Sequence, residues 1–158
     1  MDQLLSLAKL VADRLTARNE TVAVAESSAG GLISTALLAM PGASAYFLGA
    51  VNLYTPSARA ALLEIDPTIR SATVPYAMIM AKTIRSRLAA TWGVGESGVA
   101  GPTPNRYGDG VGHCVIAVMG PRCRNVIIQT KMEDRLPNMR AFAHASLRLL
   151  ADQIGEES

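Results

Sequence analysis

Near the N-terminus, Leu4, Leu7, Ala8, Val11 and Leu15 recur at helical spacing, which predicts an amphipathic helix over 2–18 stopped at Asn19. The apolar run at 21–25 then reads as a short buried strand. Helical periodicity resumes over 29–40 and is ended by Pro41-Gly42. A second strand is expected at 46–54, with Gly49 as a bulge or close approach. Pro56 suits the first turn of a helix over 56–63, capped by Thr55. After connecting chain at 66–75, a long helix is predicted for 76–92 and a glycine-interrupted strand for 94–99. Residues 100–112 form the longest loop, the richest in Gly and Pro. Strands at 111–119 and 126–130 make a hairpin around Gly120-Pro121, and a helix over 137–153 precedes a frayed tail, "GEES".

This order predicts one domain over 1–158, a three-layer α/β/α sandwich with a mixed sheet of about five strands. Ligands on such sheets sit at the carboxyl ends of the parallel strands. Two loops qualify, Glu26 to Gly31 and Ala100 to Gly112, and their convergence locates the expected site.

Composition narrows the class of protein. Of 158 residues, 49% are hydrophobic and 18% charged, which excludes a disordered chain. With aromatics at 4%, the core is aliphatic. The formal charge of +2 is dispersed with no basic block, which argues against a nucleic-acid partner. No apolar run reaches the ~18–20 residues of a membrane span, and the start lacks the basic region and cleavage site of a signal peptide. Cys114 and Cys123 form no CxxC and read as reduced thiols. A cytoplasmic domain with no membrane partner is the expectation, and the low charge with an aliphatic surface points to a homo-oligomer.

The stretch "VAVAESSAGGLIS", Val22 to Ser34, raises the chemical question. Ser27 and Ser28 stand where a strand hands over to a helix, and free N–H groups there favour developing negative charge. A hydroxyl so placed either caps the helix or attacks an acyl carbon, with nearby N–H groups receiving the oxyanion. Glu26 ends an apolar strand, so it requires a cation or backbone N–H groups. Tyr54 and Arg59 could reach the same crevice, with core packing and a solvated helix face as their plain alternatives. Asp134, Arg135 and Arg140 read either as an anion clamp or as surface ion pairs. His113 and His144 have no metal-ligand spacing and read as structural.

Three segments resemble the C-terminal domain of the competence/damage-inducible CinA proteins. They are "AESSAGG" at 25–31, "PGASAYFLGAVNLYTPSAR" at 41–59 and "SGVAGPTPNRYGDGVGHCVIAV" at 97–118, with Glu133-Asp134-Arg135 near the last helix. The resemblance implies the same α/β/α fold. It also implies hydrolysis of the carboxamide of nicotinamide mononucleotide by a serine nucleophile and a lysine base, without metal or cofactor. Carried over, the nucleophile is Ser27, and Ser28 takes the place of the family's cysteine beside Gly30 and Gly31. Ser44 and Tyr54 match polar site residues, Gly98, Val99, Ala100 and Gly101 match the loop beside the scissile amide, and Arg135 and Arg140 match the phosphate side.

The lysine position holds Arg59, which stays protonated and accepts no proton. Arg106 and Tyr107 are further new groups in the diverged loop. Three readings follow: a serine amidohydrolase with Tyr54, Asp109, His113 or a substrate group as proton acceptor; the same scaffold acting on a different small-molecule amide or lactam; or a non-catalytic ligand-binding or assembly domain.

Overall fold

A computed structural model describes residues 1–156; the end of the tail expected to fray, 157–158, lies outside the described residues. The chain forms α1 (Asp2–Arg18), β1 (Val22–Glu26), α2 (Leu32–Leu38), a 3-10 turn (Ala43–Ala45), β2 (Phe47–Asn52), α3 (Pro56–Leu63), α4 (Val74–Leu88), β3 (Trp92–Gly98), β4 (His113–Met119), β5 (Cys123–Gln129) and α5 (Arg135–Gly155). The sheet order is β2-β1-β3-β4-β5. β2, β1 and β3 are parallel, while β4 and β5 close the sheet as an antiparallel hairpin. This is the mixed five-stranded α/β architecture that the element order predicts.

Period-2 alternation along the strands divides two cores. Val22 and Val24 of β1, Trp92 and Val94 of β3, and Ile116 and Val118 of β4 pack against α1, α2 and α5. Ala23 and Ala25 point the other way, onto Tyr76, Met80 and Ile84 of α4. Two residues beyond Val24 and Val94, Glu26 and Glu96 therefore share the α2 face of the sheet. The opposite face needs small residues. A Cβ on Gly93 or Gly95 would lie 2.1 Å from the Ala81 or Ala77 carbonyl oxygen, so these glycines let α4 lie directly on β3.

Element boundaries differ from expectation where caps decide them. The helix expected from residue 29 begins at Leu32, because Gly30 and Gly31 take φ values of 66° and 94° and form a turn first. α4 begins at Val74 rather than 76, because the Thr73 hydroxyl accepts from Tyr76 N and Pro75 is accommodated in the first turn. It stops at Leu88, where Ala89 turns left-handed, and that frees Trp92 to open β3. β5 starts at Cys123 rather than Val126; its first three residues are exposed on a sheet edge and carry no apolar signal. α5 starts two residues before the expected 137. The 3-10 turn at Ala43–Ala45 has no counterpart in the periodicity.

Candidate active site

β1, β2 and β3 run parallel, so the residues after Glu26, Asn52 and Gly98 emerge at one end of the sheet. Two adjoining cavities open there. The first, about 260 Å³, is bordered by Ser27, Tyr54, Arg59, Ser97, Gly98 and Arg106. The second, about 230 Å³, is bordered by Ser28, Gly98, Val99, Ala100, Gly101 and Arg135. Tyr54 and Asn105 border both. The two loops picked out by the strand order thus meet as expected.

Two fully buried carboxylates build the serine turn. Glu26 accepts from Gly31 N at 3.0 Å, Ile33 N at 3.2 Å, and Ser34 N and Oγ at 3.0 and 2.7 Å, so it caps α2 with a side chain from β1. Backbone N–H groups, rather than a cation, meet its charge. Glu96 does the same for the preceding residues. Its Oε2 accepts from Ser27 N and Ala29 N, both at 2.9 Å, and its Oε1 accepts from the Ser28 hydroxyl. With its amide nitrogen turned to the strand end, Asn52 donates to the carbonyls of Glu26 and Ser27 at 3.2 and 3.3 Å. Burial pushes the Glu96 carboxyl above its ordinary range despite those three hydrogen bonds, and the nearby Glu26 charge adds to the rise. The Cys114 thiol, 3.4 Å from Glu96 Oε1, is pushed well up by burial and by that carboxylate.

The two serines consequently face different surroundings. Ser28 is buried with its hydroxyl committed to Glu96, whereas Ser27 is half-buried and borders the larger of the two cavities. Tyr54, 63% exposed, accepts from Arg135 Nη2 at 2.7 Å, and Arg135 also donates to the Gly101 carbonyl. Arg59 is not on a solvated face. It is buried, donates through Nη2 to Pro67 O at 2.7 Å and Ile69 O at 2.5 Å, and lies 4.6 Å from the Tyr76 ring centroid.

The diverged loop is ordered by its own polar groups. Asn105 Oδ1 accepts from Tyr107 N and Asp109 N at 3.0 and 2.9 Å, and its amide donates to Asp109 at 2.8 Å. Arg70 reaches Asp109 at 2.8 Å and lies 5.0 Å from the Tyr107 ring; Arg106 lies 4.8 Å from the same ring. Burial would raise the Asp109 carboxyl, but Asn105 and Arg70 outweigh it and hold the group below its ordinary range. His113 is spent on the Ala72 carbonyl at 2.9 Å. Neither Asp109 nor His113 borders the Ser27 cavity.

Two expected site residues lie elsewhere in the chain fold. Ser44 sits in the 3-10 turn before β2, whose start pairs with the start of β1, so it is at the opposite end of the sheet from Ser27. Arg140 borders a separate cavity of about 540 Å³ with Met1, Asp2 and His144. Gly30 and Gly31 shape the turn without bordering either serine cavity. Sequence reasoning passed over Glu96, Asn105 and Arg70. Glu96 carried the same signal as Glu26, an acid inside the buried glycine-rich run "WGVGESG". Asn105 carried a local one, an amide two and four residues before the Tyr107 and Asp109 groups it binds, whereas Arg70 carried none, because its partner Asp109 belongs to a distant segment. Arg59, Arg106 and Arg135 give both cavities cationic walls, and no carboxylate borders either among the described residues. No cluster of three metal-ligating side chains occurs among the described residues, and no helix there is long and apolar enough to cross a membrane.

Comparison with known proteins agrees with this architecture. A CinA-like protein of Prochlorococcus marinus is 43% identical over 120 residues, covering 73% of this chain and 28% of its own length. One from Anaeromyxobacter sp. is 35% identical over 148 residues, covering 91% of this chain and 36% of its own. The chain thus spans about a third of the curated relatives it matches. A CinA superfamily protein from Klebsiella pneumoniae superposes with a TM-score of 0.90 at 20% identity, over 96% of this chain and 97% of that one. The competence/damage-inducible protein CihA from Agrobacterium tumefaciens gives 0.88 at 24%, over 98% and 96%. At such identities these two likenesses speak for the fold alone. The model of the CinA C-terminal domain matches residues 4–154, and the chain belongs to that family.

Proposed function

We propose that this domain is a serine amidohydrolase that cleaves a carboxamide or lactam in an anionic small molecule, with Ser27 as nucleophile. The observation that carries this reading is the exposure of Ser27, alone of the serine pair, to a cavity it shares with Tyr54 and Arg59. The Ser27 hydroxyl attacks the amide carbon and forms a C–O bond. The C–N pair then leaves on nitrogen, which takes up the serine proton. Water cleaves the acyl-serine and releases a carboxylate. Tyr54 is assigned the proton transfer, because Arg59 stays protonated and Asp109 and His113 are engaged away from the cavity. The cationic walls from Arg59, Arg106 and Arg135 suit an anionic substrate and a carboxylate product. Nicotinamide mononucleotide, an amide bearing a phosphate, is the first compound to test.

One observation favours a second reading, a ligand-binding domain without turnover. Where the resemblance implies a lysine base, the Arg59 guanidinium is tied to two carbonyls of the 66–73 segment. Purified protein incubated with nicotinamide mononucleotide and a panel of amides and lactams should release ammonia, or a new amine, together with a carboxylate. Ser27→Ala should reduce the rate to background. Saturable binding without turnover across the panel would select the second reading.

A further inference from the structure

The geometry points to Glu96 as the positioning residue that sets Ser27, and not Ser28, as the nucleophile. This rests on the serine mechanism proposed above. One carboxylate gathers three consecutive residues: the N–H groups of Ser27 and Ala29 on Oε2, and the Ser28 hydroxyl on Oε1. The first two contacts fix the backbone on either side of the pair, and with the Asn52 amide they hold the Ser27 peptide from both faces. The third draws the Ser28 hydroxyl into the interior, so Ser27 alone is left to the larger cavity. Free energy is given up for this arrangement. Glu96 is fully buried and, among the described residues, has no ion-pair partner. A neutral side chain would satisfy two N–H groups with less desolvation, so the charge serves something beyond holding the turn.

Ionisation is the lever. The carboxylate accepts at both oxygens, whereas the acid carries a proton on one of them and must give up an acceptor site. Around Glu96 stand Glu26 from β1, whose charge opposes its ionisation, and the Cys114 thiol from β4, which stays protonated. The serine turn supplies the three donors that meet its oxygens. As pH falls through the raised pKa of Glu96, its grip on the turn loosens and the reactivity of Ser27 declines.

The test is acylation of the full chain by a serine-directed fluorophosphonate, with adduct sites mapped by mass spectrometry and rates followed between pH 5 and 9. Wild-type protein should be labelled on Ser27, with a rate that falls toward acid pH. Glu96→Gln should lower that rate at pH 8 by at least about tenfold and abolish the acid limb. Circular dichroism and the thermal transition report whether the variant is folded. Ser28→Ala, which leaves both N–H contacts with Glu96, should keep the adduct on Ser27 and retain the limb. A wild-type adduct on Ser28 would overturn the assignment of the pair. Equal rates and pH profiles in wild type and Glu96→Gln would overturn only the role of Glu96. No adduct on either serine would sink the serine mechanism itself.

Discussion

The Arg59 guanidinium donates to the carbonyls of Pro67 and Ile69, lies against the Tyr76 ring and leaves Nε unpaired in the interior. A polar atom without a partner costs stability, so the side chain must repay it through its other contacts. It does so by tying the segment after α3 to the cavity wall, alongside the Ile65 N–H, which donates to the Arg59 carbonyl at 3.2 Å, and the apolar contacts of Ile65 and Ile69. Arg59→Met would keep much of the apolar contact but strand both carbonyls, at a cost of roughly 2–4 kcal/mol. For a domain of this size that is a fall in Tm of on the order of 10 °C, measurable by calorimetry. Arg59→Lys is the more pointed substitution. An ammonium can lose its proton in a buried site where a guanidinium does not. A gain of ammonia release from nicotinamide mononucleotide would show that the missing base limits that reaction.

Among the elements, β3 is the one on which the site depends most. It lies between β1 and β4, carries Glu96 and Ser97, and delivers Gly98 to both cavities. The closeness of α4 makes it intolerant of side chains on one face. Gly95→Ala would press a Cβ into the Ala77 carbonyl, 2.1 Å away, and move the helix off the sheet. The expected loss is about 3 kcal/mol, read from urea unfolding, and the displaced strand should also weaken ligand binding. The same strand marks how far the sequence could be read. Its glycine pattern, the serine turn of β1 and the long loop after β3 were legible because turn chemistry and apolar alternation are local properties. The start of β5 was not, because an exposed edge strand has no apolar face to mark it. Glu96 stayed hidden for another reason. An acid within a strand says that partners exist, but the N–H groups it binds lie 67–69 residues away and are set by the β1–β3 register. Ser44 is the converse case: a motif match in sequence that the parallel β1–β2 register carries to the far end of the sheet.

For the molecule as a whole, the carboxylates of Asp109 and Glu96 act on stability with opposite signs. Asp109 is held below its ordinary value, so the unfolded chain binds its proton more readily than the folded one. Its contribution is present above about 3.8 and is lost as pH falls through the lowered value. Glu96 is raised, so the folded chain binds that proton more readily. Its favourable contribution is complete below the ordinary value of 4.5 and disappears as pH rises through the raised one. The stability curve should therefore climb out of the acid range and then lose part of the gain as Glu96 ionises. Thermal unfolding of Asp109→Asn should show a shallower acid arm and a lower Tm at neutral pH, since Arg70 loses its partner. Glu96→Gln should do the reverse at the other end, matching or trailing wild type near pH 5 and exceeding it at pH 8. A variant more stable at pH 8 yet slower to acylate would place the charge of Glu96 among features retained for function at a cost in stability. A Glu96→Gln curve parallel to wild type at every pH would mean that the carboxyl does not titrate across this range.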